Sequence, residues 1–201
     1  MFNLGKTAVL LSLLGILTGC SLLSPAPKDE AMANLPQRQQ ELTALTEFEI
    51  NASIYVKAPG NSVSGGLKWQ QQGDFYQASM QNLFGLNVFE IKTDKTGAEV
   101  KVDGQTHTAP SASVLLDYLS GWSLPIEEMP LWLKGMAGES AEAMSYDALG
   151  RLQSFTLHDS QGREWQVSYP KFFTNRLALP KLIVLQSADT RIKVAIREWN
   201  L

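Results

Sequence analysis

Phe48-Glu49-Ile50-Asn51-Ala52-Ser53-Ile54-Tyr55-Val56-Lys57 is the stretch from which the fold can be read. Phe48, Ile50, Ala52, Ile54 and Val56 alternate with polar or amphipathic neighbours. A period of two puts the apolar row on one face of a strand. Ala58-Pro59-Gly60-Asn61 then marks a turn. Further short strands are expected within 66–81 and over 86–93, 98–102 and 105–108, punctuated by Lys95-Thr96-Gly97 and Asp103-Gly104. Strands resume over 143–146, 152–158, 164–169, 181–186 and 191–199. Asp147-Ala148-Leu149-Gly150 and Asp159-Ser160-Gln161-Gly162 turn between them. Ten or eleven short strands joined by tight turns predict a mainly β domain, an antiparallel sheet that curves toward a barrel.

Helices interrupt this pattern twice. Asn34 followed by Pro36 opens a polar-rich, exposed N-terminal helix reaching about Thr46. Between the two groups of strands, Ser111 or Ser113 caps a helix through Val114, Leu115, Tyr118 and Leu119 to Gly121. A second helical piece over 126–134 is interrupted by Pro130 and ended by Gly135. These central helices, with Leu115, Tyr118, Trp122, Leu131 and Trp132, are the available cover for the apolar face of the sheet. Periodicity leaves two interiors open: a core filled by side chains, or an apolar cavity between sheet and helices.

The N-terminus carries a different message. One cation, Lys6, precedes an apolar stretch from about Thr7 to Leu17, too short for the roughly 20 residues of a membrane span but suited to a secretory signal. Leu17-Thr18-Gly19-Cys20 closes it, and Cys20 is the sole cysteine of 201 residues. The tetrapeptide resembles a bacterial lipobox, which implies a signal peptide over 1–19, cleavage before Cys20, and an S-diacylglycerol and N-acyl group on that residue. In the Gram-negative lipoprotein class that this resembles, an aspartate after the cysteine typically signals inner-membrane retention, so Ser21 there implies export to the outer membrane. Residues 20–34, with Pro25 and Pro27, read as the acylated start and a tether. Fourteen extended residues reach roughly 46 Å. Residues 35–201 are expected to form one domain.

Composition narrows the function. Without Lys6, 16 basic residues face 20 acidic ones, a net charge of −4. That is no footprint for nucleic acid, and the tether is not polybasic. With Cys20 acylated no thiol is left for a disulfide, a zinc cluster or a nucleophile. His107 and His158 lack metal-site spacing, and no G-x-S-x-G elbow occurs. Glu127-Glu128 point in different directions on a helix and read as a solvated helix start rather than a catalytic pair. Gly60-Asn61-Ser62-Val63-Ser64-Gly65-Gly66 reads as a flexible turn without a P-loop lysine. No cofactor, metal or enzymatic activity is therefore expected.

One turn is unusual: Gln81-Asn82-Leu83-Phe84-Gly85-Leu86 sets three large apolar residues where turns are normally polar. Leu83 and Phe84 either fold back onto the core or form an exposed apolar tip that meets a membrane or a partner.

Taken in order, several short motifs resemble the LolB family of outer-membrane lipoproteins. They are the lipobox at Cys20, Trp69-Gln70-Gln71, Asn82-Leu83-Phe84-Gly85, Leu119-Ser120-Gly121 with Pro125, and Leu131-Trp132-Leu133-Lys134-Gly135. Trp165-Gln166-Val167-Ser168-Tyr169, Leu179-Pro180, Arg191-Ile192-Lys193 and Trp199 complete the series. The resemblance implies an unclosed, strongly curved antiparallel barrel with a lid of short helices over an apolar cavity. It implies acceptance of lipoproteins from the periplasmic carrier LolA by their acyl chains, and delivery into the inner leaflet of the outer membrane. A monomer is expected, handling one cargo at a time. The membrane-facing loop falls on Leu83, Phe84, Gly85 and Leu86. The family often has proline and leucine before this glycine, so the tip stays open among Leu83, Phe84 and Leu86. Trp69, Leu115, Tyr118, Trp122 and Trp132 are the candidate cavity residues, with ordinary core packing as the rival role. The rival reading of the whole chain is a lipid-anchored interaction module with a filled core.

Overall fold

A computed structural model describes residues 34–120 and 125–201. Helix α1 (Leu35–Ala44) precedes six strands: β1 (Glu47–Ala58), β2 (Asn61–Gln72), β3 (Phe75–Gln81), β4 (Asn87–Asp94), β5 (Gly97–Val102) and β6 (Gln105–Ala109). Then come α2 (Ala112–Ser120), a 3₁₀ turn (Ile126–Glu128) and α3 (Met129–Leu133). The chain finishes with β7 (Glu142–Tyr146), β8 (Leu152–His158), β9 (Glu164–Phe172), β10 (Pro180–Gln186) and β11 (Arg191–Asn200). The strands form one antiparallel sheet in the order β6-β5-β4-β3-β2-β1-β11-β10-β9-β8-β7.

The chain runs outward from β1 to one edge of the sheet, crosses by the central helices to the other edge, and returns to β11. There β11 pairs with β1, from Glu49 opposite Asn200 to Lys57 opposite Arg191, with a register shift between Asn51 and Ala52. The edge strands β6 and β7 do not pair, so the sheet stays unclosed; α2 packs on β5 and β6, and Trp132 of α3 packs on Phe155 of β8. The alternation of 48–57 survives as expected: Phe48, Ile50 and Ala52 are buried, and Ile54 and Val56 also turn inward. The inward rows of both flanks converge on one cluster with Leu115, Trp132 and Leu133 of the helices, which only a curved sheet allows.

Local chemistry sets the joints. Asn34 caps α1, its Oδ1 accepting from the Gln37 N–H at 3.1 Å, with Pro36 in the first turn. Ser111 starts α2: its carbonyl accepts from the Leu115 N–H and its Oγ from the Val114 N–H. Two hairpin turns are built alike. In β7–β8, Asp147 accepts the Leu149 and Arg151 N–H groups on one oxygen and the Arg151 guanidinium on the other. In β8–β9, Asp159 does the same with Gln161 and Arg163. An aspartate that satisfies its own turn is what the sequence pattern requires.

Three expectations need correction. Helix α1 is not simply exposed: Leu42 and Arg38 are buried, and the Arg38 Nε–H donates to the Leu177 carbonyl at 2.8 Å. The segment 61–66 is not a flexible turn but the first half of β2, paired with β1 along its length. Gly65 serves a close approach, since a Cβ there would lie 2.1 Å from the Gln81 carbonyl oxygen. Glu127 and Glu128 are not a merely solvated start. Glu127 accepts from the Ser113 N–H and hydroxyl, fastening the 3₁₀ turn to α2. Glu128 accepts from the Ser140 N–H at 2.9 Å and hydroxyl at 2.7 Å, fastening it to the segment before β7.

Candidate functional site

Between the sheet and the central helices lies a cavity of about 360 Å³. Seven strands supply its wall, among them Ile54 and Val56 of β1, Leu67 and Trp69 of β2, and Tyr76, Ala78 and Met80 of β3. Phe89 and Ile91 of β4, Val100 of β5, Leu185 of β10 and Ile192 of β11 continue it. The lid contributes Ala112, Leu116 and Leu119 from α2, Ile126 from the 3₁₀ turn, and Met129 and Leu133 from α3. Apart from the Trp69 indole N–H and the Tyr76 hydroxyl, these side chains carry no hydrogen-bonding group. Such a wall excludes water by chemistry and accepts an apolar ligand.

The two polar atoms differ. The Trp69 Nε1–H donates to Gln71 Oε1 at 3.0 Å, and the Gln71 amide donates onward to the Gly73 carbonyl. Tyr76 stacks on Trp69, ring centroids 4.2 Å apart, and burial followed by the negative charge of Glu127 pushes its hydroxyl pKa far up. A larger hollow of about 590 Å³ lies at the β4–β5 turn, lined by Lys92, Asp94, Thr96, Glu99, Thr108 and others. Its charged, open wall has no use for an apolar ligand, so wall chemistry rather than volume selects the site. Among the described residues no group of three or more His, Cys, Asp or Glu could hold a metal, and no helix is long and apolar enough to cross a membrane.

The expected cavity residues divide. Trp69 lines the cavity. Leu115 and Trp132 are buried in the cluster but lie off the cavity, Trp132 against Phe155 with ring centroids 5.8 Å apart. Tyr118 is 76% exposed on the outer face of α2, beside His107. It cannot line the cavity as placed: the inward positions run Ala112, Leu115, Leu116, Leu119, and Tyr118 falls one step off that stripe. Trp122 and Cys20 lie outside the described residues. Leu116, Leu119, Met80 and Ile91 line the cavity without having been among its expected residues. For the two leucines the i, i+3, i+4, i+7 spacing from Ala112 was the available signal.

The apolar loop stands outside this cavity. Asn82 builds it, its Oδ1 accepting from the Phe84 and Leu86 N–H groups, while Gly85 adopts φ +77°. That left-handed conformation suits glycine, and the turn throws Leu83, Phe84 and Leu86 into solvent at 88, 87 and 64% exposure. Leu83 and Phe84 do not fold back onto the core. Leu86 is less exposed than either, so the tip is the pair Leu83-Phe84.

Comparison with known proteins agrees with this arrangement. The sequence profile described as Outer membrane lipoprotein LolB matches residues 46–199. A protein named outer-membrane lipoprotein LolB from Shewanella frigidimarina is 29% identical over 200 residues, 99% of this chain and 93% of that one. Its namesake in Tolumonas auensis is 28% identical over 190 residues, 92% of each. Among solved structures, a LolA superfamily protein from Nitrosomonas europaea superposes with a TM-score of 0.55 at 10% identity, covering 84% of this chain and 94% of that chain. A putative outer membrane lipoprotein-sorting protein domain from Vibrio parahaemolyticus gives a TM-score of 0.51 at 10% identity, covering 82% and 90%. Those two likenesses concern the fold, an unclosed antiparallel sheet with short helices. The profile match spans the described domain from the first strand to the last, and this chain belongs to the LolB family of outer-membrane lipoproteins.

Proposed function

We propose that this chain, held in the outer membrane by acyl groups on Cys20 and facing the periplasm, accepts lipoproteins from LolA and passes them into the membrane's inner leaflet. The cargo's acyl chains would enter the cavity beneath α2 and α3. The observation that carries this reading is a space of about 360 Å³ walled by apolar side chains in a member of the LolB family. Each buried methylene contributes about 0.8 kcal/mol, so every part of an acyl chain that enters the cavity is favoured over water. Handover then needs only a small affinity gradient, since a tenfold preference is about 1.4 kcal/mol. The Leu83-Phe84 tip, rooted by Asn82, would touch the lipid surface during release, each apolar side chain contributing about 1.5–3 kcal/mol if fully buried.

The test uses the mature chain from residue 20 carrying Cys20→Ala, so that no acyl group of its own competes. Mixed with LolA loaded with a radiolabelled lipoprotein, it is expected to take up the label without added nucleotide. Label that stays on LolA while this chain is folded would refute the acceptor role.

A further inference from the structure

The outer face of the sheet sorts its charges. Ile54, Val56, Ile192 and Val194 line the cavity, so the alternate residues Tyr55, Lys57, Arg191 and Lys193 point outward. Lys57 lies directly opposite Arg191, and Lys193 lies one step along the same face, opposite Tyr55. Their other cross-strand neighbours are neutral: Ser62 and Ser64 on β2, Gln186 and Val184 on β10. The acids of β1 and β11, Glu47, Glu49 and Glu198, gather at the opposite end. Like charges directly opposite each other destabilise a sheet. Lys57 and Arg191 are exposed and Lys193 is half-buried, and among the described residues no carboxylate lies within ion-pair distance of any of them. Asp189, the nearest acid along the chain from Arg191, accepts from the Thr190 hydroxyl.

That end of the sheet also carries the apolar tip. β1 leaves it through the turn at 58–61, β3 through the loop at 82–86, and β10 through the turn at 187–190. Only β2 separates the root of the loop from β1, since Gly66 pairs with Gln81 on one side and Ser53 on the other. A lipid surface offers what both features need. Its acyl layer receives Leu83 and Phe84, and the phosphates of its headgroups receive cations whose long stems let them reach sideways. The chain belongs to a family of outer-membrane lipoproteins, so such a surface is its standing neighbour. The mature chain is acidic as a whole, but at physiological ionic strength charges beyond about 8 Å are screened, so the local cluster decides. We propose that Lys57, Arg191 and Lys193 form a docking surface for the phosphates of anionic phospholipids. The domain then settles with its tip in the acyl layer and this outer face of β1 and β11 against the headgroups. This extends the delivery step of the reading above and does not depend on the cavity.

Flotation of the mature Cys20→Ala chain with vesicles, in the absence of cargo, tests it. One set of vesicles is phosphatidylcholine alone, and the other is an equimolar mixture with phosphatidylglycerol. At low salt the anionic set is expected to bind at least about tenfold tighter, each cation near such a surface contributing about fivefold, and high salt should erase the difference. Equal binding of the unvaried chain to both sets would overturn the proposal with no variant needed. Lys57→Gln combined with Arg191→Gln and Lys193→Gln should remove the preference and leave neutral-vesicle binding as it was. Relieved of facing like charges, this variant should melt no lower than its parent. Lys171→Gln with Lys181→Gln, at the opposite end of the sheet, should keep the preference. Loss of the preference in that pair, or its survival in the triple variant, would overturn the assignment. A triple variant that keeps the preference but no longer takes labelled cargo from LolA would give the cluster to a protein partner instead. Phe84→Ser should weaken binding to both vesicle sets equally, so a failure of the tip is told apart from a failure of the cluster.

Discussion

On β8 and β9 the inward side chains Phe155, Leu157, Trp165 and Val167 are fully buried, and Trp132 of α3 reaches across to pack on Phe155. No residue of these two strands lines the apolar cavity. From β2 to β5 the inward rows are just as apolar, but they face Leu116, Leu119 and Met129 across open space of about 360 Å³. The same alternation therefore gives a solid interior on one flank of the sheet and a hollow one on the other. The reach of the lid makes the difference. An indole from α3 packs on Phe155 of the sheet, whereas Ala112, Leu116 and Leu119 of α2 face the cavity. In a void the wall atoms lack partners on one side and forgo dispersion contacts that a ligand can restore. The packed flank sets the shape, and the hollow flank is left to be completed by something else.

The strongest way to break this contrast is truncation on both flanks. Trp132→Ala is expected to cost about 3–5 kcal/mol in denaturant unfolding, because it opens a void in a solid interior. Met80→Ala, equally buried but on the cavity wall, should cost less than half as much. Comparable losses would mean the two flanks do not differ in packing. Enlargement reverses the comparison. Val167→Phe should cost about 1–3 kcal/mol by overpacking. Ala78→Phe, aimed into the cavity, should leave stability within about 0.5 kcal/mol but weaken binding of an apolar probe about tenfold.

Acid sharpens the contrast more gently. Burial pushes the Asp147 and Asp159 carboxyls up, yet bonds from the Arg151 and Arg163 backbone and side chains outweigh it, and both stay below the usual aspartate value of 3.8. A depressed folded-state pKa means the contribution is fully present above about pH 3.8 and is lost as pH falls through the lower folded value. Both turns belong to the packed flank, while Asp94 of the hollow flank is held down by Thr96 out in solvent. Hydrogen exchange at descending pH should therefore show β7–β9 loosening before β2–β4. The smallest stability effect is expected at the exposed tip. Phe84→Glu should shift unfolding by no more than about 0.5 kcal/mol, leave cargo uptake intact and impair delivery into liposomes. Normal incorporation would remove the tip from the account.

Much of the fold was legible because local signals and tertiary structure agree. The alternation of 48–57, the Asp-x-x-Gly turns before Arg151 and Arg163, and Asn34 ahead of Pro36 each specify what the chain adopts. The first half of β2 was not legible. Ser62, Ser64, Gly65 and Gly66 have little strand preference, and the segment is held by pairing with β1 and by the tight fit of Gly65 against Gln81. The hollow was also hidden, since periodicity names the face a side chain takes but not the distance to what lies opposite. That is why Trp132, the largest lid residue among those described, was expected in the cavity and instead fills the packed flank. Tyr118 is a different case: the stripe through Ala112, Leu116 and Leu119 already placed it on the outside.

The central claim is that the hollow flank receives acyl chains, and a cargo lipoprotein carrying a photoreactive group within its acyl chain tests it directly. After transfer to the mature Cys20→Ala chain and irradiation, peptide mapping should find adducts on β2–β5 and the inner face of α2, around Met80, Ile91 and Leu116. Adducts confined to β8 and β9, or to Leu83 and Phe84 alone, would contradict it.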